Sequence, residues 1–300
     1  MKIFLTGGTG FIGKTLIGLF AEQGHDVLVL TRSSQFSKDC NSNRLSYCIG
    51  DLRDSFAVYS AMKDFGPEAL VHLAWEGLPD YSLEMSRQNL ECSINVFSAA
   101  ARTGCSCILS TGTCWEYAGK KGMLAENDNL ERTKIFPAAK NALRFIGEAI
   151  ARENGLRFYW LRLFFVYGPG QRSTSLIPNI IDSIRAGKMP KIKKPRNRHD
   201  FVFVGDVAQA ISGVIEQQPE NSVYNVGSGS STAVEECVRI TYNTMNKTFD
   251  KSIFSGRQHM DAEDFWADIS LIHRDIGWKP RYNIRSGIKA AIQTSMRKIT

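Results

Sequence analysis

What the sequence lacks excludes several classes of protein. It has no apolar run of the roughly 18 residues that a membrane span requires, and no internal repeat or low-complexity segment. Its seven cysteines show no paired metal-ligand spacing, and an odd number of unpaired cysteines is typical of a reducing compartment. We therefore predict a cytoplasmic protein without a disulfide framework, a metal site or a membrane-inserted segment.

The composition is that of a globular protein. The 300 residues are 43% hydrophobic and 22% charged, which is ordinary for a globular chain. At about 150 residues per domain, this length predicts two lobes or one large α/β unit. The net charge of +7 suits an anionic partner. The basic stretch at residues 188–198 lacks the interleaved aromatic side chains that stack on bases, so we predict a small polyanion rather than a nucleic acid.

Strand-like and helical segments alternate along the first half of the chain. A strand-like run at residues 2–6, a glycine-rich turn, helical spacing up to Gly24 and an apolar run at 26–30 together predict a βαβ unit. Further strand-like runs follow at 69–73, 106–110 and 158–165, and helical stretches lie at 87–102 and 138–154. This alternation predicts a doubly wound parallel sheet of the α/β class. It loosens after about residue 166, so we expect a Rossmann domain over 1–165, with return segments near 200–226, and a smaller mixed α/β substrate lobe over 166–300.

The first glycine-rich turn has the features of a dinucleotide-binding loop. Residues 6–13 read TGGTGFIG, and its three spaced glycines would allow a tight turn, close approach of a diphosphate and close helix packing. The helix that follows would direct free N–H groups and the positive end of its dipole at the phosphates. The predicted contacts in this loop are Gly7, Gly10, Phe11, Ile12 and Gly13.

The end of the second strand bears on the choice of cofactor. An acidic residue there would accept the ribose hydroxyls of NAD, whereas an arginine accommodates the 2′-phosphate of NADP. This chain has Thr31 and Arg32 followed by two serines. A guanidinium is well suited to a phosphate, so we favour NADP(H); NAD is the alternative if Arg32 is only a solvated loop cation.

Several motifs in the expected order resemble those of the extended short-chain dehydrogenase/reductase family, whose members modify nucleotide sugars. They are TGGTGFIG at 6–13, GDLRD at 50–54, VHLA at 71–74, DFVFVGDV at 200–207, NVGSG at 225–229 and IGWKP at 276–280. The resemblance implies that Asp51 and Leu52 lie beside the adenine and that Leu73 and Ala74 line the cofactor. It also implies a nucleoside-diphosphate sugar as substrate and a homodimer formed through two helices, here at 87–102 and 138–154.

The catalytic motif of the family is incomplete in this chain. Thr113 stands four residues before Tyr117, where the resemblance implies a hydroxyl that hydrogen-bonds the reacting sugar oxygen. The family then has a YxxxK motif, and the corresponding residues 136–140 read FPAAK. The resemblance implies that Lys140 binds the nicotinamide ribose. Phe136 takes the place of the tyrosine, and a benzene ring can neither donate nor accept the proton.

Three explanations of Phe136 stay open on the sequence. The first is a Tyr→Phe change introduced to trap a bound substrate. The second is proton transfer through Thr113, Cys114 or an ordered water at lower efficiency, since a positioned acid or base contributes about 10²–10⁴-fold. The third is a protein that binds a nucleotide sugar without converting it.

The residues after Thr113 argue against one reaction of the family. Its 4,6-dehydratases have an Asp-Glu pair directly after the threonine, whereas this chain has Cys114 and Trp115. Glu116 comes one residue too late and is expected to make an ordinary polar contact. The stretch TCWEY resembles reductases of 4-keto-6-deoxy sugars. We therefore predict an NADP-dependent reductase in activated-sugar biosynthesis for a surface polysaccharide or glycoconjugate, with an NAD-dependent epimerase as the alternative.

The expected substrate contacts are spread along the chain. The resemblance implies that a segment near residues 175–178 covers the nucleotide base and that one of the cations before the DFVFV motif reaches the diphosphate. Each of these cations could equally be an ordinary surface charge. The predicted substrate-binding residues are Trp75, Cys114, Trp115, Phe165, Ile177, Pro178, Arg198, His199 and Arg257.

Overall fold

The computed structural model describes residues 1–35, 44–119, 121–250, 254 and 262–297. The strands are β1 (Lys2–Thr6), β2 (Asp26–Thr31), β3 (Leu45–Ile49), β4 (Ala69–His72), β5 (Cys107–Thr113), β6 (Lys121–Leu124), β7 (Arg157–Leu163), β8 (Phe165–Tyr167), β9 (Arg198–His199), β10 (Phe201–Phe203), β11 (Val223–Val226), β12 (Thr232–Ala233) and β13 (Asp264–Ala267). The helices are α1 (Phe11–Glu22), α2 (Ser55–Phe65), α3 (Leu83–Arg102), α4 (Ile135–Glu153), α5 (Leu176–Arg185), α6 (Val204–Gln217), α7 (Val234–Thr244), α8 (Ser270–Ile276) and α9 (Ile284–Arg297).

A seven-stranded parallel sheet forms the centre of the molecule. Its strand order is β3-β2-β1-β4-β5-β7-β11. The chain moves outward in one direction from β1 to β3 and in the other from β4 to β11, so the order reverses between β1 and β4. In a doubly wound sheet, ligands bind beyond the carboxyl ends of the strands at this reversal. The predicted α/β Rossmann fold is confirmed.

The central strands are apolar on both faces because helices cover both faces. Ile3 and Leu5 of β1 belong to the core beneath α1 and α6, which pack together. Phe4, between them, belongs to the core on the opposite face, with Val96 and Phe97 of α3. This two-sided burial explains why β1 and β2 are continuous apolar runs rather than alternating ones.

The second half of the chain contributes two smaller sheets and completes the large one. β8 pairs with β10, and β12, β9, β13 and β6 form a four-stranded sheet. A separate core of isoleucines and aromatic residues lies between α5, α7 and α9. β11 returns to the edge of the central sheet beside β7. The division at residues 165 and 166 stays a prediction.

Several element boundaries differ from those expected. α3 begins at Leu83 rather than 87 because the Ser82 hydroxyl caps it, accepting the backbone N–H of Met85 at 3.3 Å. α4 begins at Ile135 rather than 138, with Pro137 in the first turn, where its missing N–H costs nothing. The edge strand β3 was not expected; it is only half-buried. No helix of the described part is both long and apolar enough to cross a membrane.

The strand expected at 158–165 divides into β7 and β8. The backbone N–H of Phe164 bonds to Val226 in the central sheet, whereas the N–H of Phe165 bonds to Asp200. The chain therefore leaves the central sheet between these two residues. Hydrophobicity alone does not mark the change, because the apolar run continues through both strands.

Candidate active site at the reversal of the sheet

A cleft of about 490 Å³ lies beyond the carboxyl ends of β1, β2 and β4, a size ordinary for small-molecule sites. The predicted cofactor residues that line it are Gly7, Gly10, Thr31, Arg32, Asp51, Leu52, Leu73 and Ala74. Trp75, predicted to contact the substrate, also lines it. Phe11, Ile12, Gly13 and Lys140 are not part of its lining.

The loop between β1 and α1 has the geometry of a diphosphate cradle. Gly7 has φ of +72°, and a Cβ there would lie 2.7 Å from the backbone nitrogen of Ala74. A Cβ on Gly13 would collide with the carbonyl oxygen of Gly7, so the loop requires both glycines. α1 begins after Gly10 without a side-chain cap, which leaves its first N–H groups available to an anion. These residues fit the diphosphate of a dinucleotide.

Arg32 is paired with a carboxylate that the motifs did not identify. Its Nη1 donates to Oε1 of Glu76 at 2.6 Å, and Arg53 donates to the same carboxylate at 3.4 Å. The hydrogen bond and charge of Glu76 raise the pKa of Arg32. Both partners are partly exposed, with 58% of the Arg32 and 39% of the Glu76 side chain accessible. The end of the cleft next to β2 thus has an arginine that is paired with a glutamate.

The helical spacing of Phe136 and Lys140 places both side chains against Trp75. The Lys140 ammonium lies 3.8 Å from the centre of the Trp75 ring and donates to the carbonyl of Thr111 at 3.0 Å. Burial lowers the pKa of Lys140 to about 7, partly opposed by the charge of Glu116. The buried indole N–H of Trp75 makes no hydrogen bond within the described residues, so it is an unused donor beside the cleft.

Three aromatic side chains surround the ring of Phe136. The ring of Phe136 lies 5.7 Å from Trp75, 5.0 Å from Tyr81 and 6.1 Å from Trp115, centre to centre. Phe136 itself is 8% exposed, whereas Tyr81 is 38% exposed. The motifs did not identify Tyr81, because it lies in the loop between β4 and α3, whose path depends on tertiary packing.

Thr113 is held at the end of β5 by a capping box. Its backbone N–H donates to Oε1 of Glu116 at 2.7 Å, and its side-chain oxygen accepts the N–H of Trp115 at 3.3 Å. The hydroxyl hydrogen of Thr113 can still be donated. Tyr117, by contrast, is completely buried and donates its O–H to Asn225 at 2.6 Å.

Glu116 was expected to make an ordinary polar contact, but it is a fully buried ion pair partner. Its Oε2 lies 2.9 Å from Nε of Arg162, and these side chains are 0% and 1% exposed. Trp160 also donates its indole N–H to Glu116 at 3.0 Å. Although burial opposes it, the charge of Glu116 raises the pKa of Arg162. The carboxylate is therefore directed into the core beneath Thr113.

Two predicted substrate residues contact each other where β8 begins and β9 ends. The ring of Phe165 stacks on that of His199 with 4.2 Å between centres. Arg198 is turned to Ser231 and Asp264, donating to the Ser231 carbonyl at 2.9 Å and lying 3.4 Å from the Asp264 carboxylate.

The remaining predicted substrate residues are dispersed. Ile177 is 2% exposed and Cys114 3% exposed, so both are core residues. Pro178 lines a separate cavity of about 150 Å³. Arg257 lies outside the described residues. Within the part of the chain described, no group of three or more His, Cys, Asp or Glu side chains could hold a metal ion.

A parallel sheet with an order reversal, a glycine cradle and an uncapped helix at its carboxyl edge defines a dinucleotide-binding protein of the Rossmann class. Residues 3–227 match the model of the NAD dependent epimerase/dehydratase family. The chain belongs to this family, and the resemblance to extended short-chain dehydrogenases/reductases is confirmed. It is an NAD(P)-dependent enzyme by family.

The similar proteins span nearly its whole length. CDP-abequose synthase of Salmonella typhimurium is 25% identical, with 97% of each chain covered. dTDP-4-dehydro-6-deoxyglucose reductase of Escherichia coli is 23% identical and covers 97% of this chain and 96% of its own. Among solved structures, UDP-glucose 4-epimerase of Thermotoga maritima with UDP-glucose has a TM-score of 0.88 at 20% identity, and each chain is covered completely. MoeE5 with UDP-glucuronic acid and NAD has a TM-score of 0.83 at 23% identity and covers 99% of this chain and 100% of its own.

Proposed function

We propose that the protein is an NADP(H)-dependent reductase of a nucleoside-diphosphate 4-keto-6-deoxy sugar, in activated-sugar biosynthesis for a surface polysaccharide or glycoconjugate. The main support for this proposal is that the Glu116 side chain is directed into the core. Dehydration needs an acid and a base after the threonine, but Cys114 and Trp115 occupy those positions and the Glu116 carboxylate is bound to Arg162 in the core. Oxidation or reduction of a carbon is the chemistry that this arrangement leaves.

The substrates named for two of the similar proteins support the proposed substrate class. One is named for a dTDP-linked 4-dehydro-6-deoxy sugar and the other for CDP-abequose. The overall charge of +7 suits the anionic diphosphate of such a molecule. We therefore propose a nucleoside-diphosphate sugar, with no nucleic acid as partner.

The proposed cofactor contacts extend along the cleft, from the loop between β1 and α1 to the residues that follow β2, β3 and β4. In this proposal the N–H groups after Gly10 hold the diphosphate, and Arg32 holds the 2′-phosphate of NADP. Asp51 and Leu52 lie at the adenine, and Leu73 and Ala74 line the nicotinamide half. When bound, the reduced nicotinamide supplies hydride.

In this proposal the reacting groups lie behind Trp75, which lines the cleft and contacts Lys140. Lys140 hydrogen-bonds the nicotinamide ribose, which requires Trp75 to leave room beside the ammonium, since the two now touch. Thr113 donates its hydroxyl hydrogen to the sugar oxygen that changes. Trp75 and Trp115 form an apolar wall for the hexose, and the stacked Phe165 and His199 extend it toward the smaller lobe.

A stoichiometric assay tests the reduction. Purified protein is mixed with NADPH and dTDP-, CDP-, GDP- or UDP-linked 4-keto-6-deoxy sugars, and one NADPH is expected to disappear for each sugar reduced. Interconversion of two epimers without added reductant would overturn the reductase. If neither this chain nor its Phe136→Tyr variant converts any sugar, while thermal shift still detects a nucleotide sugar, a binding protein is the better assignment.

An NAD-dependent epimerase is the second candidate, and Glu76 favours it. A carboxylate beside the adenosine end can accept ribose hydroxyls, as the acid of NAD-binding proteins does. The solved structures similar to this one include proteins with NAD bound. Release of NAD from the denatured protein, together with sugar interconversion in the absence of reductant, would establish this candidate.

We also propose a homodimer in the cytoplasm. Its interface would include the outer surfaces of α3 and α4, where Phe145 is 51% exposed and Leu83 66% exposed. Light scattering coupled to gel filtration tests it: Phe145→Glu is expected to convert a dimer to a monomer, and a wild-type monomer would contradict it.

A further inference from the structure

The reduction proposed above lacks a proton donor at its usual place. A carbonyl that becomes an alcohol takes a hydride at carbon and a proton at oxygen, and Phe136 has no proton to give. Described side chains with a hydroxyl or thiol hydrogen include Tyr81, whose ring contacts Phe136, and Thr113, Cys114 and Tyr117 at the turn that packs against α4. Each has a different access to solvent and a different environment.

Three of these four groups are poor donors. Tyr117 is 0% exposed, its O–H is donated to Asn225, and burial raises its pKa. Cys114 is 3% exposed, so solvent does not return a lost proton to it. Thr113 has an aliphatic hydroxyl, which serves as a hydrogen-bond donor but does not ionise near neutral pH.

Tyr81 has the position and the access that the others lack. Its ring lies 5.0 Å from Phe136 and 5.1 Å from Trp115, so it faces both α4 and the turn after Thr113. The loop is held next to it, because the Asp80 carboxylate accepts the N–H of Ser82 at 2.9 Å. The tyrosine is also 38% exposed, which lets water restore its proton after each turnover.

We propose that Tyr81 is a catalytic residue: its phenol donates the proton to the carbonyl oxygen of the keto sugar, in place of the tyrosine that the family has at position 136. The O–H bond of Tyr81 breaks, the new O–H bond forms on the sugar, and water returns a proton to the phenolate. The hydride comes from the reduced nicotinamide dinucleotide. This inference rests on the proposed function.

The charges around Tyr81 suit this role. Partial burial raises its pKa, which keeps the phenol protonated at neutral pH before the reaction. The guanidinium of Arg172 acts in the opposite direction and stabilises the phenolate that remains after proton transfer. Arg172 is anchored to the same loop by its hydrogen bond to the carbonyl of Leu78.

Tyr81→Phe tests the assignment, with Tyr59→Phe as its matched control. Tyr59 lies on α2 with its ring against Arg102. We expect kcat for keto-sugar reduction to fall by about 10²–10⁴-fold in Tyr81→Phe only, with unchanged KM and unchanged affinity for NADPH measured by nicotinamide fluorescence. Adding Phe136→Tyr to Tyr81→Phe is expected to restore kcat. An unchanged kcat in Tyr81→Phe, or no recovery in the double variant, would overturn the assignment.

A phenolate titration gives a second test that does not depend on turnover. Ultraviolet absorbance of the wild type, with and without saturating NADP⁺, is expected to show one phenol whose pKa falls when the positively charged nicotinamide binds. This change should persist in Tyr59→Phe and disappear in Tyr81→Phe. If no variant reduces a keto sugar but the change belongs to Tyr81, the proposed function fails while the placement of Tyr81 beside the nicotinamide stands. A change that is absent or equal in all three proteins overturns the placement.

Discussion

Glu116 and Glu76 are each paired with an arginine near the cleft, and the two pairs formed with Arg162 and Arg32 differ mainly in their access to water. Arg162 and Glu116 are completely buried at 2.9 Å beneath Thr113, whereas Arg32 and Glu76 are paired at 2.6 Å in partly exposed positions at the end of the cleft next to β2. The shorter pair is expected to contribute less, because solvent screens it and allows each partner to find other hydrogen bonds. A buried partner left alone has no such replacement.

Removing one buried charge should produce the largest effect. Glu116→Gln leaves the Arg162 guanidinium without its counter-charge, so we expect a loss of about 3–5 kcal/mol in the free energy of unfolding, measured by urea denaturation. Glu76→Gln is the matched control and is expected to change it by at most about 1 kcal/mol. Replacing both partners, as Glu116→Gln with Arg162→Met, should recover part of the loss. Equal effects at the two glutamates would contradict the comparison.

The exposed pair should instead affect which cofactor binds. Arg32→Ala removes the guanidinium proposed to hold the 2′-phosphate, and a hydrogen bond to a charged group is worth about 1.5–3 kcal/mol. We therefore expect NADPH to bind roughly tenfold to a hundredfold more weakly, while NADH affinity hardly changes, as measured by fluorescence titration. Equal weakening of both cofactors would mean that Arg32 does not distinguish them.

Lys140 extends the comparison because it is buried and, among the described residues, donates to the carbonyl of Thr111 rather than to a carboxylate. Its pKa falls from 10.5 in the unfolded chain to about 7 in the folded one, so the charge destabilises the fold most below pH 7 and the cost disappears toward pH 10.5. Lys140→Met is accordingly expected to raise the Tm of the cofactor-free protein, with a larger gain near pH 6 than near pH 9. A gain independent of pH would show that folding does not lower the pKa of this lysine. Lys63→Met, on the exterior of α2, is the control.

The parts of the molecule that depend on local spacing could be predicted from the sequence. The glycine cradle is one example, since Gly13 is needed where α1 packs against the carbonyl oxygen of Gly7, six positions earlier. The pairing of Phe136 with Lys140 on one helix face is another. Both predictions rest on residues a few positions apart, for which helix and turn geometry decide the arrangement.

The parts that depend on contacts between distant segments could not be predicted. Glu116 meets Arg162, 46 positions later, and only the pairing of β5 with β7 brings them together. Tyr81 contacts Phe136 because of the path taken by the loop between β4 and α3. Glu76, which follows β4, pairs with Arg32, which follows β2. No spacing in the sequence distinguishes these residues from others of the same type in exposed loops.

The smallest expected effect concerns Glu76 and separates the two candidate functions. Its carboxylate would repel the 2′-phosphate of NADP but accept the ribose hydroxyls of NAD, so Glu76→Gln should strengthen NADPH binding by about 2- to 5-fold and weaken NADH binding slightly, on the scale of an exposed ion pair. The change should shrink in high salt, because the charges are partly exposed. Competition between the two cofactors in one fluorescence titration measures the ratio directly. If the variant instead loses NADH strongly and gains no NADPH affinity, Glu76 acts as the ribose acid of an NAD enzyme, and the epimerase becomes the better assignment.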